Sequence, residues 1–158
     1  MGVYSNTEIE QAVVDGHIVF YPYQKNHING SSVDVTLGGR FYRTDRKSEF
    51  ATYNPFDKSE VDKYFGTPQQ AVTHAEWCKQ NDAEPFANIP ADHPIIVLEP
   101  NERILAHTHE FIGIKPPGTT SMQSRSTWGR NGVAVCFDAG WGDPGYINRW
   151  TMEIYNLN

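Results

Sequence analysis

The sequence contains little cysteine, no excess of positive charge and no long apolar run. Its only cysteines are Cys78 and Cys136, too few for a disulfide framework and without the C-x-x-C spacing of a structural zinc site. The most apolar stretch, 95–98, is far shorter than a membrane span, and no basic segment followed by an apolar run opens the chain. We therefore expect a soluble, cytoplasmic protein with no membrane partner.

Positive charge is also scarce overall. The chain has 13 basic and 19 acidic residues and a formal net charge of -6, so no general positive field attracts a nucleic acid polymer. A small polyanionic ligand must instead meet a local cluster of arginines.

Glycine and proline are, by contrast, frequent. The 13 Gly and 10 Pro among 158 residues favour many turns within one domain. Short apolar runs between these residues predict strands at 95–98, 103–106, 110–114, 133–137 and 150–155. Many short strands predict a mainly β barrel or sandwich with two peripheral helices.

Two segments carry helix-start signals. Ser5 followed by Glu8 forms a capping box, and Gly16 supplies the stop of the first helix. The pattern Thr-Pro-Gln-Gln predicts a second helix over 67–80. Strands are expected at 18–20 and, from alternation of apolar residues, at 32–38.

The densest polar segment, 124–132, combines two arginines, three hydroxyl side chains and two glycines. Guanidinium groups and hydroxyls bind phosphate oxygens, and glycine lets backbone amides approach closely, so the segment fits an anion site. A solvated turn with a salt bridge fits it about equally well.

A second cluster, 139–146, combines three glycines, a proline, Asp143 and Tyr146. It can present an acid and a flat aromatic surface to a ligand, or it can be a tight hairpin with a half-buried tyrosine. In the strand that follows, Glu153 shares a face with Thr151 and Tyr155, and the apolar residues share the other. If the Glu153 face lines a pocket, burial suits this carboxylate to proton transfer; if it is solvated, the residue is ordinary.

These residues resemble the signature of the dCTP deaminases, which belong to the trimeric dUTPase superfamily. The resemblance rests on 125–132 (RSTWGRNG), 139–145 (AGWGDPG) and 151–154 (TMEI), and in the N-terminal half on 4–9, 16–19 and 31–38. It covers 4–43 and 95–158, so 45–94 is interpreted as an enlarged insertion in a single domain, 1–158.

The resemblance implies a dUTPase-like distorted β-barrel that assembles as a homotrimer with active sites between subunits. It implies zinc-independent hydrolytic deamination of dCTP to dUTP. Two alternatives stay open: a bifunctional enzyme that also yields dUMP and pyrophosphate, and a catalytically silent nucleotide-binding module.

The resemblance also implies the roles of individual residues. Glu153 would activate water for attack at cytosine C4, Arg130 would orient the base, and Ser126 would place the water. The implied nucleotide-binding residues are Arg125, Ser126, Thr127, Asp138, Ala139, Trp141, Asp143 and Tyr146. No metal is expected on the protein itself, and Mg²⁺ is expected through the triphosphate.

Three further features qualify the resemblance. His74-Ala75-Glu76 copies the H-x-E element of zinc deaminases, but P-C-x-x-C is missing, so an exposed mid-helix position is expected. Gly142 stands where the family has an apolar residue, which predicts a looser turn. Family members continue beyond the catalytic strand with a tail that closes over the nucleotide. Either another segment, such as 45–94, supplies this wall of the pocket, or the chain is a shortened form.

Overall fold

In the computed structural model, residues 2–44 and 52–158 are described, and short antiparallel strands dominate them. The helices are α1 (Asn6–Val14), a 3-10 helix (Lys25–His27), α2 (Lys58–Phe65), α3 (His74–Asn81) and α4 (Ser126–Arg130). The first strands are β1 (Ile18–Tyr21), β2 (Ile28–Asn29), β3 (Ser32–Val33), β4 (Arg40–Arg43), β5 (Gln69–Gln70), β6 (Val72–Thr73) and β7 (Pro94–Ile95). The remaining strands are β8 (Arg103–His107), β9 (Phe111–Ile114), β10 (Thr120–Ser121), β11 (Val133–Val135), β12 (Trp141–Gly142) and β13 (Thr151–Asn156).

The predicted mainly β architecture is confirmed. A five-stranded sheet has the order β11-β13-β8-β4-β5, and four two-stranded sheets are β1-β9, β10-β12, β2-β3 and β6-β7. Among the described residues these pairings do not close into a ring, and four α-helices are present where two were predicted. Of these helices, none is long and apolar enough to cross a membrane.

Strand β13 alternates as the sequence predicts. Met152 and Ile154 are buried in a cluster with Phe41, Ile104 and Ala106, whereas Glu153 on the opposite face is half-buried. Burial of each large apolar side chain contributes roughly 1.5–3 kcal/mol. This cluster therefore fixes which face of β13 carries the candidate catalytic residue.

The first helix follows its local signals. The Ser5 hydroxyl accepts from Glu8 N at 3.4 Å, and Ser5 N donates to Glu8 Oε2 at 2.7 Å. The hydrogen bonds that Ser5 N and the Ser5 hydroxyl donate to the Glu8 carboxylate hold its pKa below the ordinary value. The capping box predicted at Ser5 and Glu8 is thus confirmed.

The helix predicted over 67–80 is wrong in its first half. Gln70 instead pairs with Arg40, and α3 begins at His74 behind a capping box of Thr73 and Glu76. Pairing of β5 with β4 outweighs the local helix-start signal of Thr67. Helix α2 was not predicted, although Asp57 caps it by accepting from Ser59 N at 2.8 Å.

Two predicted strands are shorter than expected. Of the predicted strand 95–98, only Ile95 lies in an observed strand, Pro94–Ile95, and of the predicted strand 32–38 only Ser32–Val33 does. In the rest of the 32–38 segment, the Thr36 N–H is bound by a side chain, and Leu37 forms only an isolated bridge with Thr108.

That side chain is Glu110, which is fully buried. Its Oε2 accepts from Thr36 N at 2.9 Å and its Oε1 accepts from the Thr36 hydroxyl at 2.7 Å. Beside it, the buried Thr108 hydroxyl donates to Glu110 O at 2.7 Å and accepts from Trp150 N at 2.9 Å. The connection between β8 and β9 therefore fastens the 34–37 segment to the start of β13.

Replacing Thr36 by Val should lower the free energy of unfolding by about 1–3 kcal/mol, because one oxygen of a buried carboxylate loses its donor. Urea denaturation measures the change. The matched control is Thr67→Val, since Thr67 is exposed, and it should shift stability by less than about 0.5 kcal/mol. Equal effects of the two variants would contradict a structural role for the Thr36–Glu110 contact.

Candidate functional site

Glu153 lies in β13, between β11 and β8, and is paired with Leu105. Its Oε2 is buried and has no hydrogen-bond partner in the part of the chain that the structure describes. A buried carboxylate oxygen without a donor is costly, and such exceptions need a physical explanation such as a water or ligand. The face of β13 that carries Glu153 thus presents an acceptor ready for a donor from outside the chain.

Cys136 is a neighbour of Glu153 that sequence reasoning missed. It follows β11, whose Val135 pairs with Ile154, and its φ of 57° is unusual for a residue other than glycine. Burial first, and the negative charge of Glu153 second, raise the pKa of the Cys136 thiol. The register between β11 and β13 brings these residues together, and no local sequence signal encodes it.

The predicted anion segment forms α4 and the residue that caps it. Arg125 is the cap, Ser126 and Thr127 form the first turn, and Arg130 ends the helix. All four residues are exposed. Helix α4 contacts β11, and β11 pairs with β13, the strand that carries Glu153.

Arg125 forms the salt bridge that the sequence left open as an alternative. Its Nε donates to Asp34 Oδ1 at 2.7 Å, and its Nη2 contacts the same oxygen. Both side chains remain substantially exposed. The arginine is therefore oriented by an acid and still accessible to an anion.

The structure does not join all the predicted catalytic residues directly. Within residues 2–44 and 52–158, neither Ser126 nor Arg130 forms a hydrogen bond or ion pair with Glu153. Their proximity rests on α4 packing against β11 and β11 pairing with β13.

The remaining predicted residues lie between β11 and β13. Asp138 and Ala139 are exposed in the loop before β12, and Trp141 is exposed opposite Ser121. Met122 N donates to Gly140 O at 2.7 Å, which ties this loop to the strand preceding the anion segment.

Asp143 and Tyr146 form the turn that the sequence predicts. Tyr146 N donates to Asp143 O at 3.0 Å, and the Tyr146 ring centroid lies 6.0 Å from that of Trp150. The Asp143 carboxylate is exposed and Tyr146 is about half exposed. The turn therefore offers an acid and an aromatic surface side by side.

The expectation that Gly142 loosens this turn is wrong. Gly142 is buried, and a Cβ there would lie 1.9 Å from Trp150 Cη2 and 2.2 Å from Thr120 Oγ1. The missing side chain is what lets the Trp150 ring pack directly against β12. Gly142 thus makes the turn tighter.

His74 and Glu76 have structural roles, and the expectation of an exposed mid-helix position is wrong for His74. This residue begins α3 and is buried, with Nδ1 donating to Ile89 O at 3.1 Å and Nε2 accepting from Phe86 N at 2.9 Å. Glu76 belongs to the capping box of α3. In the described residues, no group of three or more His, Cys, Asp or Glu side chains could hold a metal ion.

Comparison with known proteins identifies the family of this chain. A family model described as dCTP deaminase-like matches residues 3–158. A relative from Nanoarchaeum equitans named dCTP deaminase, dUMP-forming, is 30% identical over 155 residues, covering 98% of this chain and 73% of the relative. A relative of the same name from Methanothermobacter thermautotrophicus is 30% identical over 161 residues, covering 99% and 70%.

A solved structure has a similar fold. The crystal structure of 2'-deoxycytidine 5'-triphosphate deaminase from Agrobacterium tumefaciens superposes with a TM-score of 0.63 at 14% identity and covers 98% of this chain. This chain spans only 42% of that protein. The matched segment, 3–158, includes both the anion segment and Glu153, and the chain belongs to the dCTP deaminase-like family.

Proposed function

We propose that this chain hydrolytically deaminates dCTP, with Glu153 as the proton-transfer residue. The observation that carries the proposal is the buried Glu153 Oε2, which has no hydrogen-bond partner among the described residues. Glu153 lies on β13, which pairs with β11, the strand that follows α4. A water bound to this oxygen would be held and polarised as a nucleophile. The names of the relatives, dCTP deaminase, dUMP-forming, support the same substrate.

One carboxylate can serve both halves of this reaction. Glu153 first takes a proton from water as the oxygen bonds to cytosine C4, and then returns a proton to the departing amino group. Water and dCTP thereby give dUTP and ammonia.

The anion segment would bind the triphosphate. We assign Arg125, Ser126 and Thr127 to phosphate oxygens, because guanidinium and hydroxyl groups donate hydrogen bonds to them. Ser126 would also help to place the water, and Arg130 would orient the base. The donors of this segment suit phosphate oxygens and not a cation, so Mg²⁺ would be held through the phosphates.

The second cluster would bind the nucleoside. Asp143 is assigned to the deoxyribose 3'-hydroxyl, and Tyr146, packed on Trp150, to the sugar face. The loop with Asp138, Ala139 and Trp141 would contact the base.

We further propose that dUMP and pyrophosphate are the final products. The relatives from Nanoarchaeum equitans and Methanothermobacter thermautotrophicus are both named dUMP-forming, which favours the bifunctional alternative over release of dUTP. The second step adds water to a phosphorus atom of dUTP and releases pyrophosphate, and Asp143 is the acid proposed to orient that water.

Assembly as a homotrimer in the cytoplasm, from a single domain with an insertion at 45–94, remains part of the proposal. Trp128, Phe137 and Trp141, which lie within or between the two predicted site segments in the sequence, are large and exposed, and exposed apolar side chains suit an interface. A groove of about 460 Å³, lined by residues between Phe86 and Val97, lies apart from the site residues. A partner subunit would supply the enclosure that the open site needs.

The product pattern tests the proposed reactions. Incubation of the purified protein with dCTP and Mg²⁺ should yield dUMP and pyrophosphate on chromatography, and dUTP supplied alone should also yield them. Accumulation of dUTP would refute the second step only. No conversion of either nucleotide would refute both steps and favour a silent nucleotide-binding module.

Glu153→Gln should lower the deamination rate by about 10²–10⁴-fold, the usual contribution of a general acid–base. Affinity for dCTP, measured by calorimetry, should stay close to that of the unaltered protein, because the amide keeps the shape of the carboxylate. The matched control is Glu84→Gln, since Glu84 is exposed, and it should retain full activity. An active Glu153→Gln variant would remove this residue from the mechanism.

The thiol of Cys136 should report the charge of Glu153. Because that charge contributes to the raised pKa of Cys136, Glu153→Gln should lower this pKa, increase the thiolate fraction at pH 8 and speed alkylation by iodoacetamide. Mass spectrometry of the modified peptides measures the rate, with the buried Cys78 as the internal reference. An unchanged rate at Cys136 would contradict the electrostatic contact between the two residues.

A further inference from the structure

Asp34 lies in a backbone segment that is held on both sides. Its N donates to His27 O at 2.8 Å, and its O accepts from His27 Nδ1 at 3.0 Å. Two residues later, the buried Glu110 holds the backbone and the hydroxyl of Thr36. The backbone from which the Asp34 side chain extends is therefore fixed by the fold.

This carboxylate contacts one edge of the Arg125 guanidinium. Nε and Nη2 both meet Asp34 Oδ1, and this leaves the Nη1 hydrogens and one Nη2 hydrogen for another acceptor. Arg125 has no contact that caps α4 with its side chain. The contacts described for the Arg125 guanidinium are those with Asp34, and these contacts orient it.

The ion pair contributes little to stability. The side chains of Arg125 and Asp34 are 57% and 40% exposed, and exposed pairs of this kind are worth about 0–1 kcal/mol. We therefore expect this ion pair to act by orienting the free edge of the Arg125 guanidinium.

We propose that Asp34 is a positioning residue for nucleotide binding: it holds the Arg125 guanidinium with its free edge turned to the triphosphate. This inference rests on the proposed function, in which Arg125 binds the phosphates. A pre-oriented arginine loses less conformational freedom when the anion binds, so the effect falls on affinity and not on the chemical step.

The direction of the effect separates positioning from simple electrostatics. Removing a negative charge beside Arg125 would, by Coulomb attraction alone, tighten the binding of a triphosphate. Loss of orientation weakens it. A variant of Asp34 that binds dCTP less tightly therefore reports positioning and not charge.

The experiment compares Asp34→Ala, Arg125→Ala and the double variant. Asp34→Ala should raise the dissociation constant and the KM for dCTP about tenfold, or about 1.4 kcal/mol, with little change in kcat. In the Arg125→Ala background, Asp34→Ala should have no further effect, because its influence passes through the guanidinium. A merely structural role would weaken binding in both backgrounds.

Two controls complete the design. Glu10→Ala removes a half-buried acid from the Lys25–Glu10 pair, so it matches the loss of a paired negative charge at a residue that forms no ion pair with Arg125, and it should leave dCTP affinity unchanged. Asp34→Asn, which keeps a neutral acceptor, should fall between Asp34→Ala and the unaltered protein, and it replaces Asp34→Ala if the latter lacks a cooperative urea transition.

The outcomes distinguish this inference from the proposed function. If the unaltered protein converts dCTP while Asp34→Ala binds it equally or more tightly, the positioning role is overturned and the function stands. Additive effects of the two variants also overturn it. If the unaltered protein does not bind dCTP at all, the proposed function fails, and the role of Asp34 fails with it.

Discussion

The hydrogen-bond register of β13 is the constraint on which the candidate site depends. This strand pairs on one side with β8 and on the other with β11, and its buried residues Met152 and Ile154 determine which face Glu153 occupies. Because side chains alternate along a strand, a slip of one residue would turn Glu153 into the apolar core. The pairing of β13 with β11 also places Cys136 beside Glu153, and α4 contacts β11.

The electrostatics of the site contrast with those of the chain. The net charge is -6, yet two arginines flank the short helix α4: Arg125 caps it and Arg130 ends it. Asp34 neutralises part of this local charge, and the same contact orients the Arg125 guanidinium. In the proposed site, a polyanion would be recognised by a few directed donors in a chain of net negative charge, which favours geometry over general attraction.

The sequence predicts those features that depend on neighbouring residues and misses those that depend on distant ones. The capping box of Ser5 and Glu8 and the turn of Asp143 and Tyr146 are local, and both are found. The helix expected from Thr67 fails because pairing with β4 competes with the local signal. The contacts of Asp34 with Arg125 and of Cys136 with Glu153 join separate parts of the chain, and residue type alone does not reveal them.

The contact between Thr36 and Glu110 has a consequence for the order of folding. The two residues are 74 positions apart, so their hydrogen bonds require closure of a long loop and a large loss of chain entropy. Once this loop is closed, Asp34 and Arg125, although 91 positions apart, are linked through Glu110 by a much shorter path. The contact between Asp34 and Arg125 therefore forms at a lower cost in chain entropy once Thr36 has met Glu110, and the orientation of Arg125 depends on a pairing that is remote from it in the sequence.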